Sequence, residues 1–248
     1  VRVEVYLFLV LCECSTVRIR GPIPTRARLA MNRSSRNRLT PRMLDCFSGS
    51  TLFDHVARVC CRAGCLPRKE LYEAWEVARR VRRRMRGGRV VDLACGHGLL
   101  AYLMLLLDAG SSQALAVDRR LPASAAKLAR EFDEEWPRLA ERVQFLECDI
   151  NAVNLGAGDL VVSAHACGNL SDLIVERVLA ARARLALLPC CHDLKGADLG
   201  GLQGWLDGPL ALDVLRAERL RSAGYRVHTQ TIPGEITPKN RLLLAEPI

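Results

Sequence analysis

From Arg89 onward, short apolar runs rich in Val, Leu and Ala alternate with longer stretches whose apolar residues recur at helical spacing. Alternation of that kind is the mark of a parallel sheet covered by helices on both faces. It predicts strands over Val90 to Ala94, Ala114 to Asp118, Val143 to Glu147, Leu160 to Ala164 and Leu185 to Pro189. Helices are expected near Leu99 to Leu107, Ala123 to Glu135 and Leu170 to Ala181. An irregular stretch, Asp193 to Pro209, leads into a helix over Leu212 to Ala223 and two closing strands, Tyr225 to Ile232 and Arg241 to Glu246. The fold class expected is α/β, with a doubly wound, mostly parallel seven-stranded sheet.

Upstream of Arg89 the period is helical. Phe53, Val56, Ala57 and Cys60 share one face, and Gly64 and Pro67 punctuate its end. Leu71, Ala74, Trp75, Ala78, Val81 and Met85 form a second apolar stripe that Gly87 and Gly88 terminate. Residues 43–88 therefore read as an N-terminal helical extension and residues 89–248 as the main domain. Residues 15–42 mix Arg, Ser, Asn and Pro without an apolar period, so 1–42 is expected to be a basic, disordered arm. The apolar run Val5 to Cys12 is too short to span a bilayer and no small-residue cleavage site follows it. Met31 would make an ordinary start, which puts residues 1–30 outside the expected fold, and no membrane association is expected.

Charge changes this picture only locally. The net charge is +9, yet residues 58–89 alone hold eleven Arg or Lys against three Glu, whereas residues 90–248 hold sixteen basic and twenty acidic side chains. A concentrated positive segment suits a polyanion. It equally suits a solvated helix whose C-terminal cations offset the dipole. The eleven cysteines, without a convincing export signal, point to free thiols in a reduced, cytoplasmic protein.

Candidate chemistry gathers at strand ends. Asp92 near the end of the first strand is followed by Gly96 and Gly98 and an apolar helix, a tight turn at the sheet edge where ligands bind. Glycine there permits positive φ and close approach of a ligand. This turn alone would suit a dinucleotide as well. Asp118 ends the second strand, where a carboxylate can accept from two ribose hydroxyls. Asp149 follows the third strand, where it can accept from an adenine amine with Ile150 against the ring.

Acidic residues at three consecutive strand ends resemble the cofactor site of class I S-adenosylmethionine-dependent methyltransferases, over roughly residues 89 to 248. The resemblance implies a Rossmann-like fold whose last strand is antiparallel, S-adenosyl-L-methionine as cofactor, and a binding set of Asp92, Ala94, Gly96, Gly98, Asp118, Asp149 and Ile150. The family loop usually has Gly where this chain has Ala94.

Beyond the fourth and fifth strands stand His165-Ala-Cys167-Gly168 and Pro189-Cys190-Cys191-His192. These segments resemble the branch that includes eukaryotic tRNA acceptor-stem ribose 2′-O-methyltransferases and related methyltransferase-like proteins. These motifs and the positive, Arg-rich segment 58–89 together motivate RNA modification, with a ribose hydroxyl foremost as acceptor and that segment contacting phosphate, although the tRNA enzymes' substrate does not transfer with the motif. The zinc-finger segment of the tRNA enzymes has no counterpart here.

The candidate catalytic residues are His165, Cys191 and His192. His165 could deprotonate a hydroxyl, or anchor its loop. Cys190 or Cys191 could attack a pyrimidine covalently, or be inert. No metal site is expected, because the Cys and His residues lack a spaced Cys-x-x-Cys pair and two cysteines are adjacent. Cys60, Cys61 and Cys65 read as helix packing. No Asn-Pro-Pro-aromatic loop follows the fourth strand, which disfavours adenine-N6 methylation. Lys239 and Asn240, before the last strand, could touch substrate or cap their turn. Three readings stay open: methyl transfer to RNA, methyl transfer to a small molecule or protein, and a non-catalytic cofactor-binding scaffold. Nothing in the sequence speaks to oligomeric state.

Overall fold

The computed structural model describes residues 32–248, so the expectations for residues 1–31 lie outside the described residues. Its helices are α1 (Leu52–Ala63), α2 (Arg68–Arg84), α3 (Leu99–Leu106), α4 (Ala125–Glu135), α5 (Leu170–Ala181) and α6 (Gly208–Ser222). Its strands are β1 (Val90–Leu93), β2 (Ala114–Asp118), β3 (Val143–Glu147), β4 (Leu160–Ser163), β5 (Arg184–Leu187), β6 (Tyr225–Thr231) and β7 (Arg241–Pro247). They form one sheet in the order β3-β2-β1-β4-β5-β7-β6. Pairing is parallel from β3 through β5, and β7 runs antiparallel to both β5 and β6. This is the doubly wound, Rossmann-like sheet that the alternation of runs predicts.

Burial explains the strand order. Every residue of β1 and of β4 is buried, as befits Val-Val-Asp-Leu and Leu-Val-Val-Ser at the centre of a sheet with helices on both faces. Edge strand β3 leaves most of its positions open. Because β1 lies between β2 and β4, the chain leaves the sheet centre in opposite directions, and the loops after β1 and β4 part at their carboxyl ends. Such a switch point is where an open α/β sheet takes its ligand.

Two expectations need correction. Helix α6 starts at Gly208, four residues before the expected Leu212. Asp207 caps it by accepting from the Leu210 N–H at 3.0 Å. Pro209 then falls in the first turn, where a missing N–H removes no helical bond. The second correction concerns residues 32–42, expected within a mobile arm. Leu39 is 0 % exposed, its N–H bonds to Leu66 O at 2.8 Å, and Arg38 bridges Pro67. A single apolar side chain anchors this stretch, and one residue leaves no period to read.

Nor is there a break at residue 88: residues 32–248 form a single compact unit. Thr51 and Asp54 close a capping box at the start of α1, and Gly64 ends the helix in the left-handed conformation. Helix α1 is tied to α4 by Arg62, which pairs with Glu131 at 2.6 Å and Glu135 at 2.8 Å. All eight residues of α3 are buried, and α2 covers one side of it. There the Arg82 side chain, 3 % exposed, donates to Met104 O at 3.0 Å and Ser111 Oγ at 2.8 Å and pairs with Asp108 at 3.0 Å. Tyr102 of α3 stacks on Phe132 of α4 with ring centres 4.6 Å apart. Among the described residues no helix is long and apolar enough to cross a membrane.

Candidate functional site

A cleft of about 460 Å³ opens at the carboxyl ends of the central strands. Four residues of the expected binding set line it: Ala94 after β1, Asp118 at the end of β2, and Asp149 and Ile150 after β3. Asn169, Leu170 and Leu173 at the start of α5 close the other wall. Asp92, Gly96 and Gly98 shape the loop beneath. The Gly96 N–H donates to Asp118 Oδ2 at 2.9 Å, and Asp118 Oδ1 accepts from Arg120 N–H at 3.2 Å. Gly98 has φ +76°, and a Cβ there would sit 2.6 Å from the Phe145 ring, so the turn into α3 admits no side chain.

Ala94 has φ +58°, the left-handed region that a Cβ opposes. An L-residue there is disfavoured by about 1–2 kcal/mol, partly offset in glycine by its larger unfolded-state entropy. Ala94→Gly is therefore expected to stabilise the fold by roughly 0.5–1 kcal/mol, read as a higher urea midpoint at unchanged slope. A lower midpoint would show that the loop draws its shape from the alanine.

The carboxylates of the site differ in character. Asp92 is 1 % exposed and accepts only from the Ala101 N–H at 3.2 Å among its described bonds. Burial, reinforced by Asp118 and Glu70, pushes its pKa well above the usual range. Asp149 lies open and is pulled the other way, by the Asn151 N–H at 2.9 Å and Arg119 at 2.8 Å. Arg119 also lines the cleft, so this pair spans part of its mouth.

A stability prediction follows from the Asp92 shift. Its folded pKa exceeds its unfolded value, so its favourable contribution is complete below about pH 4 and is lost as pH rises through the folded pKa. Asp92→Asn, which keeps an acceptor for Ala101 and cannot ionise, should melt higher than the parent at pH 8. The advantage should shrink steadily toward pH 4. A pH-independent difference would contradict a buried, strained charge.

His165 leaves β4 with its side chain 35 % exposed, and its Nε2 lies 3.8 Å from Glu70 Oε1. Glu70 belongs to the first turn of α2, and its Oε1 is 3.9 Å from where a Cβ on Gly96 would stand. His97 lies in the same electrostatic neighbourhood. Its Nε2 contacts Ser124 Oγ at 3.0 Å, and burial lowers its pKa against the pull of Glu70. Sequence reasoning missed Glu70. Its only signal was an acid opening an otherwise Arg-rich helix, which reads equally well as a dipole partner.

The structure treats the remaining candidates differently. The Cys191 thiol lies with those of Cys167 and Cys190, all three Sγ atoms within 4.8 Å of one another. His192 turns away from that group. Its side chain is 1 % exposed, and its Nε2 meets Asp213 Oδ1 of α6 at 2.8 Å. Asp213 also pairs with Arg216 at 3.1 Å and Arg241 at 2.7 Å, so His192 joins a buried charge network between α6 and β7. Asn240 caps its turn by donating to Ile232 O at 2.9 Å.

Most of the Arg-rich segment is engaged internally. Arg58 donates to Phe47 O and Gly49 O, and Arg79 and Arg80 both pair with Glu76. Arg89 pairs with Asp159 at 2.7 Å. Arg83 and Arg84 are exposed at the end of α2, and Arg86, just beyond it, is exposed while lying 3.7 Å from Asp108.

Comparison with known proteins places this site in context. Over 106 residues the chain is 27 % identical to a glutathione S-transferase C-terminal domain-containing protein homolog of Drosophila pseudoobscura pseudoobscura, spanning 43 % of this chain and 17 % of that protein. Among solved structures, it is similar to an O-methyltransferase family protein from Burkholderia thailandensis, with TM-score 0.48 and 18 % identity over 84 % of this chain and 63 % of the other. It is also similar to magnesium protoporphyrin IX methyltransferase from Synechocystis PCC 6803, with TM-score 0.47 and 18 % identity over 82 % of this chain and 97 % of the other. A family described as methyltransferase domain matches residues 69–195, from the first turn of α2 to beyond β5. The chain belongs to that methyltransferase-domain family.

Proposed function

We propose that the protein transfers the methyl group of S-adenosylmethionine to an RNA, at a ribose hydroxyl. The observation carrying the cofactor is the placement of Asp118, Asp149 and Ile150 around one cleft at successive strand ends. Asp118 would accept from the ribose hydroxyls, Asp149 from the adenine amine, and Ile150 would cover the ring. The bound cofactor supplies an electrophilic methyl group on a sulfonium. His165, on the loop after β4, is suited to take the proton of the attacking hydroxyl, and Glu70, 3.8 Å away, would stabilise the imidazolium that results. Arg83, Arg84 and Arg86 would meet phosphate.

A second reading, methyl transfer to a small molecule or protein, is favoured by one observation: Arg58, Arg62, Arg79, Arg80, Arg82 and Arg89 are engaged within the fold. Calorimetric titration with S-adenosylmethionine tests the cofactor, and no binding alongside tight nicotinamide-dinucleotide binding would overturn it. Tritiated-methyl transfer into RNA, protein and small-molecule fractions tests the acceptor. Label in RNA, with affinity falling steeply as salt rises, supports the leading reading. Label elsewhere selects the second, and cofactor binding without label in any fraction points to a scaffold.

A further inference from the structure

We propose that Cys167, Cys190 and Cys191 form a binding site for a thiophilic divalent cation, zinc foremost, that ties the loop after β4 to the loop after β5. The inference does not depend on which acceptor is methylated.

Topology makes the site. Strands β4 and β5 are parallel neighbours, with Ser163 paired to Leu187, so the loops leaving their carboxyl ends emerge side by side. Leu188 N–H donates to Ser163 O at 2.9 Å, and Gly168 N–H donates to Cys191 O at 2.9 Å, locking the two loops together by their backbones. Gly168, at φ +58°, turns the chain just after Cys167. Two residues far apart in sequence from the third thus present their thiols to one point, which no Cys-x-x-Cys spacing announces.

The geometry suits a tetrahedral soft cation. Zinc–sulfur bonds of about 2.3 Å put tetrahedral sulfurs about 3.8 Å apart, and the three Sγ atoms all fall within 4.8 Å. The Cys167 and Cys190 sulfurs are 3.0 Å apart, well outside the ~2.05 Å of a disulfide, and would part by about 0.8 Å to seat the cation. As neutral groups, three clustered thiols offer one another only weak S–H donation. On ligation each thiol loses its proton to solvent and gives its electron pair to the metal, with no change of oxidation state. His192, though adjacent in sequence, places neither ring nitrogen within the 4.8 Å group that the three sulfurs form, which leaves three protein ligands and a fourth position for water. Cys167 and Cys191 are exposed, so a cation can enter from solvent.

The test is titration of the reduced, chelator-treated full chain with cobalt(II), followed by competition with zinc. One equivalent should generate sulfur-to-cobalt charge-transfer absorption that zinc abolishes, and zinc should raise the melting temperature. Cys167→Ser, Cys190→Ser and Cys191→Ser should each lose the band and the thermal shift, while Cys46→Ser keeps both. The intensity of the parent's band, which counts thiolates, decides the matter if a variant fails to fold. Absence of the band in the parent, its survival in Cys190→Ser, or a Cys167–Cys190 disulfide in the freshly purified protein would overturn the proposal.

Discussion

Asp118→Ala is expected to weaken S-adenosylmethionine binding about a hundredfold. On the proposed reading two hydroxyl bonds to a charged acceptor are lost, each of about 1.5–3 kcal/mol; at about 1.4 kcal/mol per tenfold, a hundredfold is the lower end of the range and about ten-thousandfold the upper. The same carboxylate holds the Gly96 N–H at 2.9 Å, so the loop beneath the cofactor loses a support as well. A fall in stability of about 1 kcal/mol should accompany the loss of affinity. Asp149→Ala should do less, because its carboxylate lies in the open beside Arg119, where water can replace it. Calorimetry on both variants checks the order. Equal affinity in the parent and Asp118→Ala would remove the cleft from consideration as the cofactor site.

The second large effect concerns stability alone. Arg82→Met should destabilise the fold by about 3–5 kcal/mol, the usual consequence of removing one partner of a buried ion pair. For a chain of this size that corresponds to a melting temperature lower by roughly 6–20 °C. Burial pulls the Arg82 pKa down to about 10 even against the pull of Asp108, a measure of how little water reaches it. Without the guanidinium, Met104 O and Ser111 Oγ each lose a donor, and the buried Asp108 keeps its two backbone partners, the Ser111 hydroxyl at 3.5 Å and the exposed Arg86 at 3.7 Å. The double variant Arg82→Met with Asp108→Asn should recover part of the loss, since the uncompensated charge is gone. A double variant as unstable as the sum of the singles would show that the pair is not coupled.

The sheet was legible because its central strands are short runs of Val, Leu and Ala set between helical stretches. Legibility stopped where a single residue decides. Pro209 reads as the close of a loop until Asp207 is seen capping the helix it begins. Leu39 reads as noise in a polar stretch until Leu66 meets it. That Asp118 and Asp149 line one cleft could be expected from sequence because strand ends converge by topology, whatever the side chains do. The groups beyond β4 and β5 depend instead on rotamers and on partners from distant elements. His192 looked equivalent to Cys191, yet Asp213 on α6 draws it away. Glu70 has no sequence link to His165, because the helix carrying it reads as an extension ahead of the domain.

That helix pair also bears on how the chain is made. Helices α1 and α2 are synthesised before any strand of the described sheet, and each hides part of its apolar face against later residues. Helix α3 must arrive to meet α2, and Glu131 and Glu135 to meet α1. At translation speeds of 5–20 residues per second, the interval between completing α2 and completing α4 is roughly 3–10 s. Through that interval the nascent hairpin holds up sticky surface with nothing to rest on. A ribosome-bound segment ending near residue 90 should therefore be a strong client for a holding chaperone, and one extended well past residue 135 a much weaker one.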